Sequence, residues 1–196
     1  IFPPPGLSLR WYENFFGPEW SPAAVTSVLV AIVVAVSATT LGTLAAIAVA
    51  RSFNAKLQLM IGALLILPLL VPVVVTAVAM YLALAPLRLT DTVVGIAAAH
   101  VALALPFAFT VVYANARSLD PVYERAAASL GAGSFAILWH IVFPLIRPGV
   151  LVALFFTFLT SFDETVVAIF LSGVHVKPLP RRMFEAITLE SAPPIG

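Results

Sequence analysis

The sequence predicts an all-α protein of the membrane, a polytopic bundle of transmembrane helices. Three observations carry this. Of 196 residues, 62% belong to the set AVILMFWYC and only 10% are charged, whereas a soluble domain carries about 25% charge. Mean hydropathy is +1.09. The apolar residues also gather into four runs long enough to cross a bilayer, and in lipid an open sheet cannot satisfy its own backbone. These features exclude a soluble enzyme and a disordered chain. A net charge of +1 provides no field for nucleic acid. Cysteine is absent, which removes disulfides and thiolate metal sites.

The first run, 20–50, lies uncharged between Glu19 and Arg51. At about 1.5 Å per residue it exceeds the roughly 30 Å hydrocarbon core. Before it stand a proline-rich piece, residues 2–6, and the aromatics Trp11, Tyr12, Phe15, Phe16 and Trp20, which read as an interfacial belt. The second run lies between Lys56 and Arg88 and contains Pro68 and Pro72, four apart and therefore disruptive on one face. The third, between Asp91 and Arg117, contains Pro106. None has the length or charged start of a signal peptide.

The fourth run, 149–172, is expected as a single span interrupted near its centre by Asp163 and Glu164. Its fourteen Leu, Ile, Val and Phe residues favour insertion by about 0.3–0.6 kcal/mol each, and two central acids oppose it by roughly 2.5–3.5 each. The balance is marginal, so the acids must face neighbouring helices or water. Thr160 and Ser161 stand close in sequence. Bracing between helices and a role in a path or gate carry equal weight here. Beyond this run, residues 181–190 suit a short surface helix with Arg181 and Glu185 one turn apart, read as a solvated cap.

Four spans put both chain ends on one side of the membrane. Beginning at Ile1 and stopping at Gly196 after Pro193 and Pro194, the chain reads as an excerpt of something longer. The basic residues do not orient it. Arg51, Lys56, Arg117, Arg125 and Arg147 fall on one side, and Arg10, Arg88, Lys177, Arg181 and Arg182 on the other.

Several chemistries close quickly. His100, His140 and His175 have no common metal spacing, and neither a nucleophile elbow nor a nucleotide-binding P-loop occurs. His100 reads as a hydrogen-bonded bundle residue. Residues 131–136 match G-x-G-x-x-[GA], but they follow a helical segment instead of a strand, so this is not a dinucleotide loop.

The large loop, taken as about 115–147, is the most informative segment. Asp120-Pro121 makes a helix start, with a carboxylate to cap free N–H groups and proline at the first helical position. Glu124 suits the first turn, three alanines follow at 126–128, and Gly131 can end the helix in the left-handed region. A helix of about ten residues is marginal alone in water. It must pack on its own bundle or dock into a partner.

Tyr123-Glu-Arg-Ala-Ala-Ala-Ser-Leu-Gly131, followed by Ile141-Val-Phe-Pro144, resembles the E-A-A-x-x-x-G-x9-I-x-L-P signature of binding-protein-dependent ABC importer permeases. Ala126, Ala127, Gly131, Ile141 and Pro144 occupy matching positions. Arg125 stands where the signature has glutamate, with Glu124 one residue early, and Phe143 stands where it has leucine. One residue turns a helical side chain by roughly 100°. Residues 2–11, Leu67-Pro68 with Pro72, residues 104–107 and Ser161-Phe-Asp-Glu164 are similar to the spermidine/putrescine-type branch, as they are to importers of iron, thiamine and phosphonates.

The resemblance implies the type I ABC importer permease fold, with this chain covering four of six spans. It implies a bacterial inner-membrane location and a cytoplasmic signature loop that couples to an ATPase dimer, with both chain ends periplasmic. A second permease subunit and a periplasmic binding protein complete the expected assembly. The chain itself is then not an enzyme and binds no cofactor, since ATP and magnesium belong to the ATPase subunits. A polyamine is the expected cargo, with iron(III), thiamine, phosphonate or an opine as alternatives. An ion-coupled secondary carrier, the rival class, needs no docking helix and often shows inverted repeats, which this sequence lacks.

Overall fold

The computed structural model describes residues 16–18, 20–52 and 54–191, and its helices follow the apolar runs closely at two of four spans. Helix α1 is Ser21–Ala50 and α4 is Val93–Ser118. Helix α2, Ala55–Ile66, continues through a tight turn, Leu67–Leu70, into α3, Val73–Leu84. Helix α5 is Pro121–Ser129, and α6 runs over Ser134–Phe162. Two shorter helices follow, α7 (Val166–Leu171) and α8 (Leu179–Ser191). The proline-rich piece 2–6, Trp11, Tyr12 and Phe15 lie outside the described residues.

Three helices, α1, α4 and α6, are long and apolar enough to span a membrane, and the bent α2–α3 pair makes up to a fourth. The core is where α1, α4 and α6 pack together. Small residues allow it: Ala31, Ala35, Ala38, Gly42 and Ala46 lie on the buried face of α1, and Ala97, Ala104, Ala108 and Ala116 are buried in α4. Lipid tails are as apolar as leucine, so helices associate in membranes through such close backbone approach. Gly42 is the tightest point, since a Cβ there would come 2.6 Å from Ala108 Cβ and 2.9 Å from Phe109 N. The outward faces carry large apolar side chains such as Leu29, Val36, Leu44, Leu151 and Phe155, each at least half exposed.

The second span is not a straight helix. Its two halves meet at 104°. Pro68 sits in the first turn of the 3-10 segment and Pro72 caps α3 with an extended backbone. Proline has no N–H to give the preceding turn, and its ring disfavours helical geometry in the residue before it. Two prolines four apart therefore break the helix completely instead of kinking it.

The fourth span also differs from the sequence expectation. Helix α6 begins at Ser134 and ends at Phe162, with Asp163 as its C-cap. The run 149–172 is thus not one helix with acids at its centre. The two acids stand in a break between α6 and α7. Likewise the loop expected over 115–147 is shorter, because α4 continues to Ser118 and α6 starts at Ser134. Helix hydrogen bonding continues through the polar residues near these span ends. His140 consequently lies in α6, with Nδ1 3.1 Å from the Ala136 carbonyl.

The end of the bundle away from α5 is closed by a carboxylate. Asp91 accepts backbone N–H groups from Gly173, Val174, His175 and Val176 at 2.9–3.1 Å, and its Oδ2 lies 2.7 Å from His175 Nδ1. Burial pushes the Asp91 carboxyl up, but the donors from Val176, His175 and Gly173 outweigh it and hold the group well below the carboxylate range. Helix α8 packs beside this loop, where Leu179 N donates to Ser27 Oγ at 2.7 Å. The Arg181–Glu185 pair expected there is present at 2.8 Å, joined by Lys177 at 3.1 Å. Arg181 also donates to the Ile169 carbonyl at 2.7 Å, so this helix is bound to the bundle and is more than a solvated cap.

Candidate functional site

Two places carry the residues singled out by sequence, and α6 separates them. At about 1.5 Å per residue its 29 residues extend roughly 43 Å, so the signature loop and the Asp163 break lie at opposite ends of the bundle.

The loop helix α5 forms as its residues dictate. Asp120 Oδ1 accepts Val122 N–H at 2.8 Å, and Pro121 occupies the first helical position. At the other end Gly131 adopts φ +86°. Its N–H donates to the Ala128 carbonyl at 3.0 Å, and Ala132 N–H donates to Ala127 O at 3.1 Å. This is the paired C-terminal closure that a left-handed glycine permits. No residue of α5 is buried. Tyr123, Leu130, Phe135 and Trp139 are each more than half exposed around it, and clustered exposed apolar side chains mark an interaction surface. Ala126 and Ala128 face outward, while Ala127 is half-buried.

Ile141 and Pro144 lie inside α6. Ile141 belongs to a π segment, Leu138–Val142, whose Phe143 N–H donates to Leu138 O. Proline at 144 withdraws one N–H from the ladder, and the wider π turn directly before it re-registers the carbonyls. The signature's C-terminal part thus shapes the entry of α6 into the bundle.

Nothing in the sequence pairs Glu124 with a partner. In the structure Arg51, the C-cap of α1, grips it with two bonds, Nη2 to Oε1 at 2.7 Å and Nε to Oε2 at 3.1 Å. Both side chains are about 30% exposed. Such a forked pair is directional and stronger than a single contact, yet ion pairs open to solvent contribute about 0–1 kcal/mol. Arg51 Nη1 is buried without a hydrogen-bond partner among the described residues, which costs about 1–3 kcal/mol. Net stability is therefore a poor explanation of the pair. The pair borders a cavity of about 730 Å³ that Arg117, Arg125, Ser52 and Gln58 also line.

At the other end, Thr160, Ser161, Asp163 and Glu164 do not form one cluster. Thr160 Oγ1 donates to its own helix at Phe156 O, 2.8 Å away. Ser161 is buried and faces His100 on α4, 2.9 Å from Nδ1. Glu164 Oε1 accepts Val166 and Val167 N–H at 2.9 and 3.1 Å, starting α7 as a helix-terminal carboxylate does. Asp163 is exposed. Its carboxylate has no hydrogen-bond or ion-pair partner among the described residues.

A helix bundle with three long apolar spans, a fourth broken one and a protruding capped helix defines a multi-pass membrane protein. The chain belongs to the family of binding-protein-dependent transport system inner membrane components, whose sequence model matches residues 38–188. It is 30% identical over 192 residues to the spermidine/putrescine transport system permease protein PotC of Haemophilus influenzae, covering 97% of this chain and 74% of that one. The corresponding PotC of Escherichia coli K12 is 26% identical, with 97% and 72% covered. The putrescine transport system permease protein PotI of the same organism is 28% identical, with 97% and 70% covered. The chain is accordingly an ABC importer permease of the bacterial inner membrane, all-α in fold. Importers of this family work with an ATPase, a binding protein and a second permease.

Proposed function

We propose that this chain forms half of a translocation path for a polyamine, spermidine or putrescine, released by a periplasmic binding protein. Helix α5 docks on the cytoplasmic side into one subunit of an ATPase dimer, and a second permease subunit completes the path. ATP and magnesium bind the ATPase, so this chain has no catalytic residue and needs no cofactor. The observation that carries the docking reading is a helix capped at both ends, with no buried residue, ringed by exposed Tyr123, Leu130, Phe135 and Trp139. Such a helix gains its packing from a partner. For the cargo, the support is the transport function for which the relatives are named, together with a carboxylate at Asp163 that has no partner among the described residues. A multivalent cation leaving bulk water is compensated by acidic groups along its route.

Two measurements test this reading. Cysteines at the outward-facing Ala126 and Ala128 should cross-link to the ATPase, and they should resist a membrane-impermeant thiol reagent applied from the periplasm of intact cells. Labelling from that side sinks the orientation and the docking role together. Proteoliposomes holding the full importer should take up labelled spermidine or putrescine in preference to iron(III), thiamine or phosphonate. Uptake of one of those instead overturns the cargo while leaving the docking intact.

A further inference from the structure

Helix α5 is attached to the bundle in an unusual way. Its covalent connections are short: Leu119 and Asp120 join it to α4, and residues 130–133 join it to α6, including Gly131 at φ +86°. None of its residues is buried. Its other side-chain hydrogen bonds stay local, Asp120 to Val122 and Ser129 to Ala126. Among the described residues, the Arg51–Glu124 fork is the side-chain hydrogen bonding that ties α5 to a distant element, 73 positions away in sequence. Arg51 is the cap of α1, a continuous helix of 30 residues whose inner face is buried against α4 and α6. At its far end the same helix holds α8 through Ser27 and Leu179.

We propose that the Arg51–Glu124 ion pair is the link through which displacement of α5 reaches α1, and that both are positioning residues for coupling. The inference rests on reading α5 as the ATPase-docking helix. The register of the helix supports it. Glu124 precedes by one residue the place where the signature carries glutamate, and Arg125 fills that place. A step of one residue turns a side chain by roughly 100°. Glu124 is thereby half-buried against Arg51, while Arg125 is exposed. A carboxylate held by its own bundle serves the bundle, and the outward face is left to Arg125 and the alanines. The forked geometry suits a link, because two parallel bonds resist both sliding and rotation where one would swivel.

The test uses the complete importer in proteoliposomes, with both permease subunits, the ATPase dimer and the binding protein. Three quantities are read: ATPase retained by the permease, ATP hydrolysis, and substrate moved per ATP. Arg51→Gln and Glu124→Gln should retain the ATPase, and each should lower substrate moved per ATP at least fivefold. The exchange variant Arg51→Glu with Glu124→Arg should recover most of that loss, a rescue that general damage to folding would not give. Unchanged transport per ATP in the single variants overturns the link. So does an exchange variant no better than the singles. Loss of the ATPase in Glu124→Gln alone also overturns it, by placing Glu124 in the docking face. Failure of the underlying reading is distinguishable: Ala126→Cys in a chain that keeps Arg51 and Glu124 would then not cross-link to the ATPase at all.

Discussion

Ser161 Oγ lies 2.9 Å from His100 Nδ1, joining the end of α6 to α4 inside the bundle. Both residues are buried, and the other ring nitrogen, Nε2, has no partner among the described residues. One turn earlier on α6 the Thr157 hydroxyl lies 3.1 Å from that of Thr39 on α1. These two contacts tie the last turns of α6 to both neighbouring helices, directly before the break at Asp163. Ser161→Ala leaves His100 with neither nitrogen satisfied and should destabilise the chain by about 1–3 kcal/mol. Adding His100→Leu should restore much of the loss, because two apolar groups leave nothing unpaired. Thermal unfolding of the detergent-solubilised permease checks the order of the three forms, and equal stability of all three would deny the contact any weight.

Helix packing at Gly42 should be far less tolerant than at Gly149. A Cβ on Gly42 meets Ala108 Cβ and the Phe109 backbone, neither of which can turn away, whereas one on Gly149 meets the Asn115 side-chain amide. Gly42→Ala should cost about 1–3 kcal/mol by overpacking, and Gly42→Val more. Gly149→Ala should cost less, because Asn115 can rotate at the loss of its 3.0 Å bond to Val111 O. Melting temperatures measured under one detergent condition decide it, with equal losses at the two glycines counting against the argument.

Asp91 sets a pH dependence whose sign is fixed. Its pKa in the fold lies below the ordinary 3.8, so the folded loop binds fewer protons than the unfolded one as acid is added. The stabilisation is fully present above the ordinary value and is lost as pH falls toward the lowered one. Neutral and mildly acidic conditions should therefore leave the 172–178 loop protected, with loosening only below about pH 4. Asp91→Asn should loosen it already at pH 7, because an amide cannot accept all five donors as a carboxylate does. Amide exchange over 172–178 reports this directly, and equal protection in the variant at pH 7 would refute it.

The membrane class, α1, α4 and α5 are legible in the sequence because their signals are local: an uncharged run, an aspartate cap, a glycine stop. The ends of α2 and α6 were not legible for the opposite reason. Apolar residues continue through Pro72 and past Asp163, so hydropathy alone joins what backbone geometry breaks. Glu124 suits a first turn by its sequence position, but its partner lies 73 residues away. A lone arginine at the end of a span gives no pattern that would pair the two. Asp91 is similar: a residue that bounded a run in the sequence proves to gather a loop more than 80 residues further on.

The break after α6 separates two acids that the sequence treats as one motif. Glu164 accepts two backbone N–H groups and starts α7, while Asp163 is exposed and its carboxylate has no partner among the described residues. Glu164→Gln keeps a side-chain oxygen for those donors and should retain most of its uptake. Glu164→Ala removes the acceptor and should disturb α7, at about 0.5–2 kcal/mol for a lost helix-terminal cap. Asp163→Asn changes charge with little effect on hydrogen bonding, so a loss there isolates the charge itself. Asp163→Asn should assemble normally with the ATPase, yet take up spermidine or putrescine at least tenfold more slowly, with Asp163→Glu recovering part of the rate. The assay is uptake into proteoliposomes at a fixed amount of assembled complex. A wild-type rate in Asp163→Asn would remove the carboxylate from the path, and failure of that variant to assemble would make Asp163 a structural residue of the break.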